Sequence, residues 1–530
     1  MAGWLQFSSP RQGKDSWTEV SRYTESVTSS VSDAELRTAA SESGSSVSGA
    51  PFEARVPDNE SPLATAARAL PMAWHLLRKK VLPEWVIQAS FLQKGCWNMS
   101  SSCTGAYTAE MAAGTVAKVV NERDAACRQL VIDHHKWMEQ SGIPTSRRLP
   151  CIFGDILDQL PASVDREAGD FAAKRRRVRA AGLLETQHCW VHNDACRLDV
   201  PVQIDVSGLP CPDNSRANLK RKFQEGGSGI VYATWAQRHI QKRTPLLLIE
   251  NVPDINVAAL RDLLEEDYIL TQLRICPSDA GHTGVARPRT YVFCSHRKTC
   301  RYLFCLHKAY SIIQATLEKH ICTSPADYLV ASPAQLRVAC EKAARQRRVD
   351  VCFETWSAVI QGIHVSCAAA CGMRRHESSE DQTDWSSMLS QAERDQVASY
   401  TAKYEARFRR RAADDPDLVF FLGDTARWCT WSACSRKIPT FRRGSGKFWY
   451  PASRRWLVAS EKLAALGFPG TAASAAVLGL HVLPVTDPLR ADSVYGNSMH
   501  FSNCQLMMLL AVTCFGPVAR EPTVDWNRLA

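Results

Sequence analysis

At 530 residues the chain has room for about two or three domains, and its 45% hydrophobic content is ordinary for a soluble protein. Lys plus Arg outnumber Asp plus Glu by 64 to 54, a net charge of +10 that suits an anionic partner such as nucleic acid without demanding one. The 20 cysteines lack the regular spacing of a secreted disulfide scaffold, so a reducing, intracellular setting is expected.

Met1 to Lys14 has no apolar core of a secretory signal, and Asp15, Glu19 and Glu25 argue against an organelle transit peptide. Apolar runs such as Leu506 to Phe515 are too short to span a bilayer, so no membrane contact is expected. Residues 1–65 are rich in Ser, Thr, Gly and Ala without apolar periodicity, which predicts a disordered tail.

From residue 66 onward the pattern becomes ordered. Residues 66–82 have helical character, ended by Pro83. A strand ending near Cys103 leads into a turn at Gly105 and a helix start. A second strand over 116–122 ends in Glu122, and Asp124 is placed to cap the helix that follows. In that helix Cys127, Leu130, Val131, His134, Trp137 and Met138 share one face. A third strand over 149–155 ends in Asp155.

This alternation predicts βαβ units around a parallel sheet. Gly105, Glu122 and Asp155 each follow the C-terminal end of a strand, the edge where such sheets bind ligands. A glycine lets backbone approach a cofactor, and an acid after the second strand can accept from ribose hydroxyls. An adenosine-containing cofactor is the expectation.

Between 158 and 200 the pattern breaks. The run Lys174 to Arg179 reads as a nuclear import signal, a phosphate contact or a solvated face. Cys189, His192 and Cys196 match no standard zinc spacing, and no metal is expected.

The strand 202–206 runs into Gly208-Leu-Pro-Cys211, which displays a thiol on a stiff turn. Cys211 is a candidate nucleophile if positive charge lowers its pKa, and a buried filler otherwise. A helix near 230–235 follows. The buried strand 245–252 then ends in Glu250-Asn-Val252. A helix marked by Leu260, Leu263 and Leu264, a strand over 268–275, and Arg287-Pro-Arg289 before a last strand close the series.

Residues 301–450 mix helices with Cys/Trp-rich and basic stretches, and predict a smaller lobe suited to nucleic-acid contact. The α/β pattern returns over 451–516, with Glu461, Gly467-Phe-Pro469, Gly496-Asn497-Ser498 and an apolar helix. Residues 517–530 are read as a tail.

In this order the motifs resemble those of the cytosine carbon-5 methyltransferases. The carriers are Gly208-Leu-Pro-Cys211 with Ser215, Glu250-Asn-Val252, Arg287-Pro-Arg289, Glu461 with Gly467-Phe-Pro469, and Gly496-Asn-Ser498. The resemblance covers residues 90–300 and 450–516. It implies an α/β fold: a class I, Rossmann-like methyltransferase core with a mostly parallel sheet, interrupted by the target-recognition lobe. The core would span 66–300 and be completed by 451–516. It implies S-adenosylmethionine as cofactor, held by Gly105, Glu122, Asp155 and Asn497. The catalytic set it implies is Cys211, Glu250, Arg289 and Arg287, with Arg289 favoured for the base contact. DNA with a flipped cytosine is the implied partner, RNA is the alternative, and a nuclear monomer is expected.

The chain departs from the family in three places. The first loop keeps one glycine of the usual Gly-x-Gly, reading Gly105-Ala-Tyr107. Pro212 replaces the Gln after the nucleophile, and Ala286-Arg-Pro-Arg289 shortens the usual Gln-x-Arg-x-Arg. An RNA-directed enzyme and a catalytically inactive regulator therefore stay open beside a DNA methyltransferase.

Overall fold

The computed structural model describes residues 98–113, 117–142, 149–216, 218–346, 384–423, 436–441, 447–469, 472–478, 480, 483, 496 and 498–518. The expected N-terminal tail, the helix over 66–82 and Asn497 lie outside the described residues, as does most of the C-terminal tail.

Strands β1 (Met99–Ser102), β2 (Val119–Asn121) and β3 (Cys151–Phe153) alternate with helices α1 (Thr108–Ala113) and α2 (Ala125–Gln140). Asp124 caps α2 by accepting from the amides of Ala126 and Cys127, satisfying donors that the first turn leaves free. Then come α3 (Phe171–Ala181), β4 (Thr186–Cys189), β5 (Asp194–Arg197) and β6 (Ile204–Ser207). Next are α4 (Ser228–Lys242), β7 (Leu246–Asn251), α5 (Val257–Leu264), β8 (Tyr268–Ile275) and β9 (Arg289–His296).

These nine strands form one sheet in the order β5-β4-β3-β2-β1-β6-β7-β9-β8. Parallel pairing joins β3, β2, β1, β6 and β7. Antiparallel pairs place β9 between β7 and β8 and hang the β4–β5 hairpin on β3. Only β4 and β9 therefore run against the other strands. The chain has the expected mostly parallel sheet.

β7 shows why this sheet holds. Leu246 and Leu248 point into one buried layer, and Leu247 and Ile249 into the other. A strand covered on both faces reads as a continuous apolar run, which is what the sequence has there. Helices α4 and α5 cover one face. The other face is covered by α1 and by two later helices, α6 (Leu306–His320) and α11 (Phe501–Cys514).

The stretch 158–200, irregular by sequence, holds α3 and the β4–β5 hairpin. In α3 part of the basic run is tied to the protein. Lys174 is buried and donates to the carbonyls of Glu225 and Gly226, and Arg179 pairs with Glu266 at 3.2 Å.

Beyond the sheet, β10 (Cys300–Tyr302) pairs with β14 (Phe515–Pro517), and α6 packs on α11. Leu306, Ala309, Ile313 and Leu317 form a helical apolar stripe that the surrounding Cys and His residues obscured, and they bury against the sheet.

The lobe carries α7 (Pro333–Gln346), α8 (Gln391–Phe408) and a small sheet of β11 (Phe420–Phe421), β12 (Phe448–Tyr450) and β13 (Arg455–Trp456). Trp385, Tyr400, Phe420, Trp449 and Trp456 fill a core there. The chain then returns through α9 (Ala459–Ala465) and α10 (Ala472–Leu478) to α11 (Phe501–Cys514), which is buried along its whole length and packs on α1. Among the described residues no helix is long and apolar enough to cross a membrane.

Candidate active site

β1 and β6 are neighbours in the sheet, so the turns at their C-terminal ends must meet. Gly208 donates its amide to the Ser102 carbonyl at 3.1 Å. A Cβ on Gly208 would sit 2.8 Å from the Cys103 carbonyl oxygen, so only glycine lets the two turns approach this closely.

The turn carrying Cys211 is fixed from the β7 side. Asn251 Nδ2 donates to the Leu209 carbonyl at 2.9 Å and to the Tyr232 hydroxyl at 2.9 Å. That hydroxyl in turn donates to the Pro210 carbonyl at 3.1 Å. After the turn, Asp213 accepts from the amide and hydroxyl of Ser228 at the start of α4. Tyr232 drew no attention in the sequence, because one aromatic on an apolar helix looks like any core residue.

Cys211, Glu250, Arg289 and Arg287 come together around this turn, although they span 79 positions from 211 to 289. Burial pushes the Cys211 thiol above its ordinary pKa. Arg289 and Arg287 oppose that shift, and Glu250 adds to it. Arg289 Nε lies 2.9 Å from Glu250 Oε1, with both side chains mostly shielded.

Arg287 is placed differently. It is buried and donates to the main-chain carbonyls of Phe441 at 3.2 Å and Ser498 at 2.7 Å. Burial lowers its pKa to about 9, and neighbouring Arg289 adds to that. Just upstream, the Ala286 amide donates to Ile438 and the Ile438 amide to Gly284, at 2.9 and 2.7 Å. Arg287 thus ties the sheet to both the lobe and the returning chain.

Glu122 and Gly105, both expected at a cofactor edge, touch one another. Glu122 Oε2 accepts from the Gly105 amide at 2.7 Å, and its Oε1 accepts from the Asp124 amide at 2.8 Å. Burial raises the pKa of Glu122. Asp155 caps the short helix Ile156–Gln159 by accepting from the Leu157 amide. Gln159 donates to Asn121 at 2.9 Å and to Gln187 at 3.3 Å, and Gln187 donates to the Asp155 carbonyl at 2.9 Å. The ends of β2, β3 and β4 are linked by this chain of amides. Asn497 lies outside the described residues.

In the first loop a tyrosine stands where the resembled motif has its second glycine. Tyr107, at that position, keeps a left-handed φ of 57°, as Cys103 does at 53°. Such a conformation costs a non-glycine residue about 1–2 kcal/mol. Tyr107 is held by its surroundings: it is buried, its hydroxyl accepts from the Ala117 amide at 3.1 Å, and its ring meets His134 edge-on.

No protein-family model matches the chain, and neither does any curated protein. Solved structures similar to it include three methyltransferases. The Dnmt2 methyltransferase of S. pombe is 12% identical with a TM-score of 0.38, over 78% of this chain and 98% of that one. A putative DNA modification methyltransferase encoded within a prophage of E. coli is 11% identical with a TM-score of 0.37, over 79% and 99%. The methyltransferase EhMeth of Entamoeba histolytica is 9% identical with a TM-score of 0.34, over 78% and 97%. By motif order, the chain resembles the cytosine carbon-5 methyltransferases.

Proposed function

We propose that the chain methylates carbon 5 of cytosine in DNA, using S-adenosylmethionine and a transient bond to Cys211. The observation that carries this reading is the convergence of Cys211, Glu250 and Arg289 beside the turn at the end of β1. The residues present suit the cofactor. Gly105, Glu122 and Asp155 follow three neighbouring parallel strands and line one sheet edge, and each Glu122 oxygen keeps a lone pair beyond the amide it accepts. Those three would hold S-adenosylmethionine, which supplies an electrophilic methyl group.

The remaining chemistry belongs to the protein. Cytosine carbon 5 is a poor nucleophile until carbon 6 gains a bond. The Cys211 thiolate adds to carbon 6, and the displaced electron pair moves toward ring nitrogen 3. Glu250 hydrogen-bonds or protonates that nitrogen as a positioned acid. Arg289 holds the carbonyl oxygen on carbon 2 and favours the thiolate. Carbon 5, now enamine-like, would take the methyl group, with the pair of the broken carbon–sulfur bond staying on the cofactor's sulfur. A base then removes the carbon 5 proton, and the electrons of that bond expel the Cys211 thiolate.

Arg287 would act through position, since its hydrogen bonds to Phe441 and Ser498 set where Arg289 begins β9. The ring faces are unreachable inside a duplex, so the target must be flipped out or single-stranded. We assign target recognition to the lobe of α7, α8 and β11–β13.

Incubation of the full chain with methyl-labelled S-adenosylmethionine and matched DNA and RNA, followed by nucleoside analysis, tests the reading. Label in 5-methyl-2′-deoxycytidine is expected. Label only in 5-methylcytidine would identify an RNA enzyme, and none in either would leave a regulator without catalysis.

A further inference from the structure

Four potential metal ligands meet where the β4–β5 hairpin joins β3: Cys151, Cys189, His192 and Cys196, with their ligand atoms all within 4.8 Å of one another. His192 Nδ1 lies 3.7, 3.4 and 3.3 Å from the Sγ atoms of Cys151, Cys189 and Cys196. Three of the four lie close in sequence, as Cys189-x2-His192-x3-Cys196 across the β4–β5 hairpin. The fourth comes from β3, 38 residues before Cys189, and only strand pairing delivers it. Phe153 pairs antiparallel with Cys189, and the Trp190 amide donates to the Ile152 carbonyl at 2.8 Å.

Hydrogen bonding does not account for this cluster. One imidazole nitrogen has one lone pair, yet three thiol groups crowd it. A disulfide would join two sulfurs and leave the third Cys and His192 unexplained. A tetrahedral cation accounts for all four together. Zn–S bonds near 2.3 Å and Zn–N bonds near 2.0 Å place sulfur and nitrogen about 3.5 Å apart, within the observed spread. Three thiolates and an imidazole suit zinc, and a set of four protein ligands leaves no open position for chemistry.

We propose that Cys151, Cys189, His192 and Cys196 form a structural zinc site that pins the β4–β5 hairpin to β3. The hairpin needs such a fastening. Cys189 is well buried, but β5 is an edge strand with a largely exposed pattern, and the apolar cluster beneath it is small. The hairpin also carries Gln187, which donates to the Asp155 carbonyl. Zinc would therefore hold the strand end that the proposed function assigns to the cofactor, although the site stands independently of that assignment.

The test uses the full chain, purified under reducing conditions without chelator and analysed for metals. One zinc per chain is expected. Cobalt exchanged into the site should give the intense visible bands of a tetrahedral ion and a sulfur-to-cobalt charge-transfer band. Released zinc should expose three thiols per ion. Cys151→Ser and His192→Ala should each weaken zinc binding by about 100-fold or more, since even outer partners of such sites are worth about 10–100-fold. Cys305→Ser, an exposed cysteine elsewhere, should leave it unchanged. If the ligand variants fail to fold, the cobalt spectrum and thiol count of the unaltered chain still decide. Protein with no bound metal, two fewer thiols from a disulfide, or zinc that survives both Cys151→Ser and His192→Ala would overturn the proposal.

Discussion

Glu250 and Arg289 are diagonal neighbours across the antiparallel pair β7–β9. Glu250 stands opposite Tyr291, so Arg289, two residues earlier, projects from the same face and closes to 2.9 Å. The two groups are held by strand register, the most rigid placement the fold offers. Of the two arginines, Arg289 keeps its guanidinium beside Glu250 and Cys211, whereas Arg287 spends its donors on main-chain carbonyls.

This arrangement makes Arg289 the group that most counters the burial of the Cys211 thiol. Arg289→Ala should move Cys211 alkylation to higher pH, with Arg289→Lys in between. Mass spectrometry that resolves Cys211 from the other cysteines would read it. An unchanged pH profile would remove Arg289 from the thiol's environment.

Arg287→Met should loosen the junction between sheet and lobe. It leaves the Phe441 and Ser498 carbonyls without their charged donor inside the protein. Hydrogen bonds to charged groups are worth about 1.5–3 kcal/mol each, so a loss of roughly 3 kcal/mol is expected in denaturant unfolding. A loss below about 1 kcal/mol would mean that the lobe is held by its other contacts.

Glu110, buried in α1, sets a pH dependence of stability. Burial raises its carboxyl from 4.5 to about 8. The folded state keeps the proton that the unfolded chain releases above about pH 4.5. Its contribution is therefore full below that pH and is lost as pH rises toward 8, on the order of a few kcal/mol. Glu110→Gln should flatten the fall in melting temperature between pH 5 and 8 and raise it at pH 8. A parallel fall in both proteins would rule this residue out.

Glu122→Ala should weaken S-adenosylmethionine binding by roughly 10-fold or more, the scale of one or two lost hydrogen bonds to a carboxylate. It also frees the amides of Gly105 and Asp124 that Glu122 now holds. Calorimetry reads the affinity directly, and an unchanged value would refute the assignment of Glu122 to the cofactor.

The sheet was legible in the sequence because its strands are buried on both faces, so apolar runs such as 245–252 stand out and end in polar residues. The order of Cys211, Glu250 and Arg289 was legible for the same reason, since each sits at or near a strand end. The hairpin 186–197 was not. Its strands are short and half exposed, and their polar residues earn their place through Gln187 and the cysteines. Cys151 could not be linked to Cys189, His192 and Cys196 from spacing, because strand pairing makes that connection. The role of Arg287 was hidden likewise, as Phe441 and Ser498 lie 154 and 211 residues away.

The most direct measurement of the central claim is capture of the protein on nucleic acid containing 5-fluorocytosine. Addition of Cys211 to carbon 6 and methylation of carbon 5 leave fluorine where a proton should depart, so the thiolate cannot be expelled. The full chain should form a denaturant-resistant adduct on DNA, and only with S-adenosylmethionine present. Glu250→Gln should form it slowly. Cys211→Ser should form none, because a hydroxyl is far less ionised than a thiol. An adduct that survives Cys211→Ser, or none on DNA or RNA in any sequence context, would contradict the account.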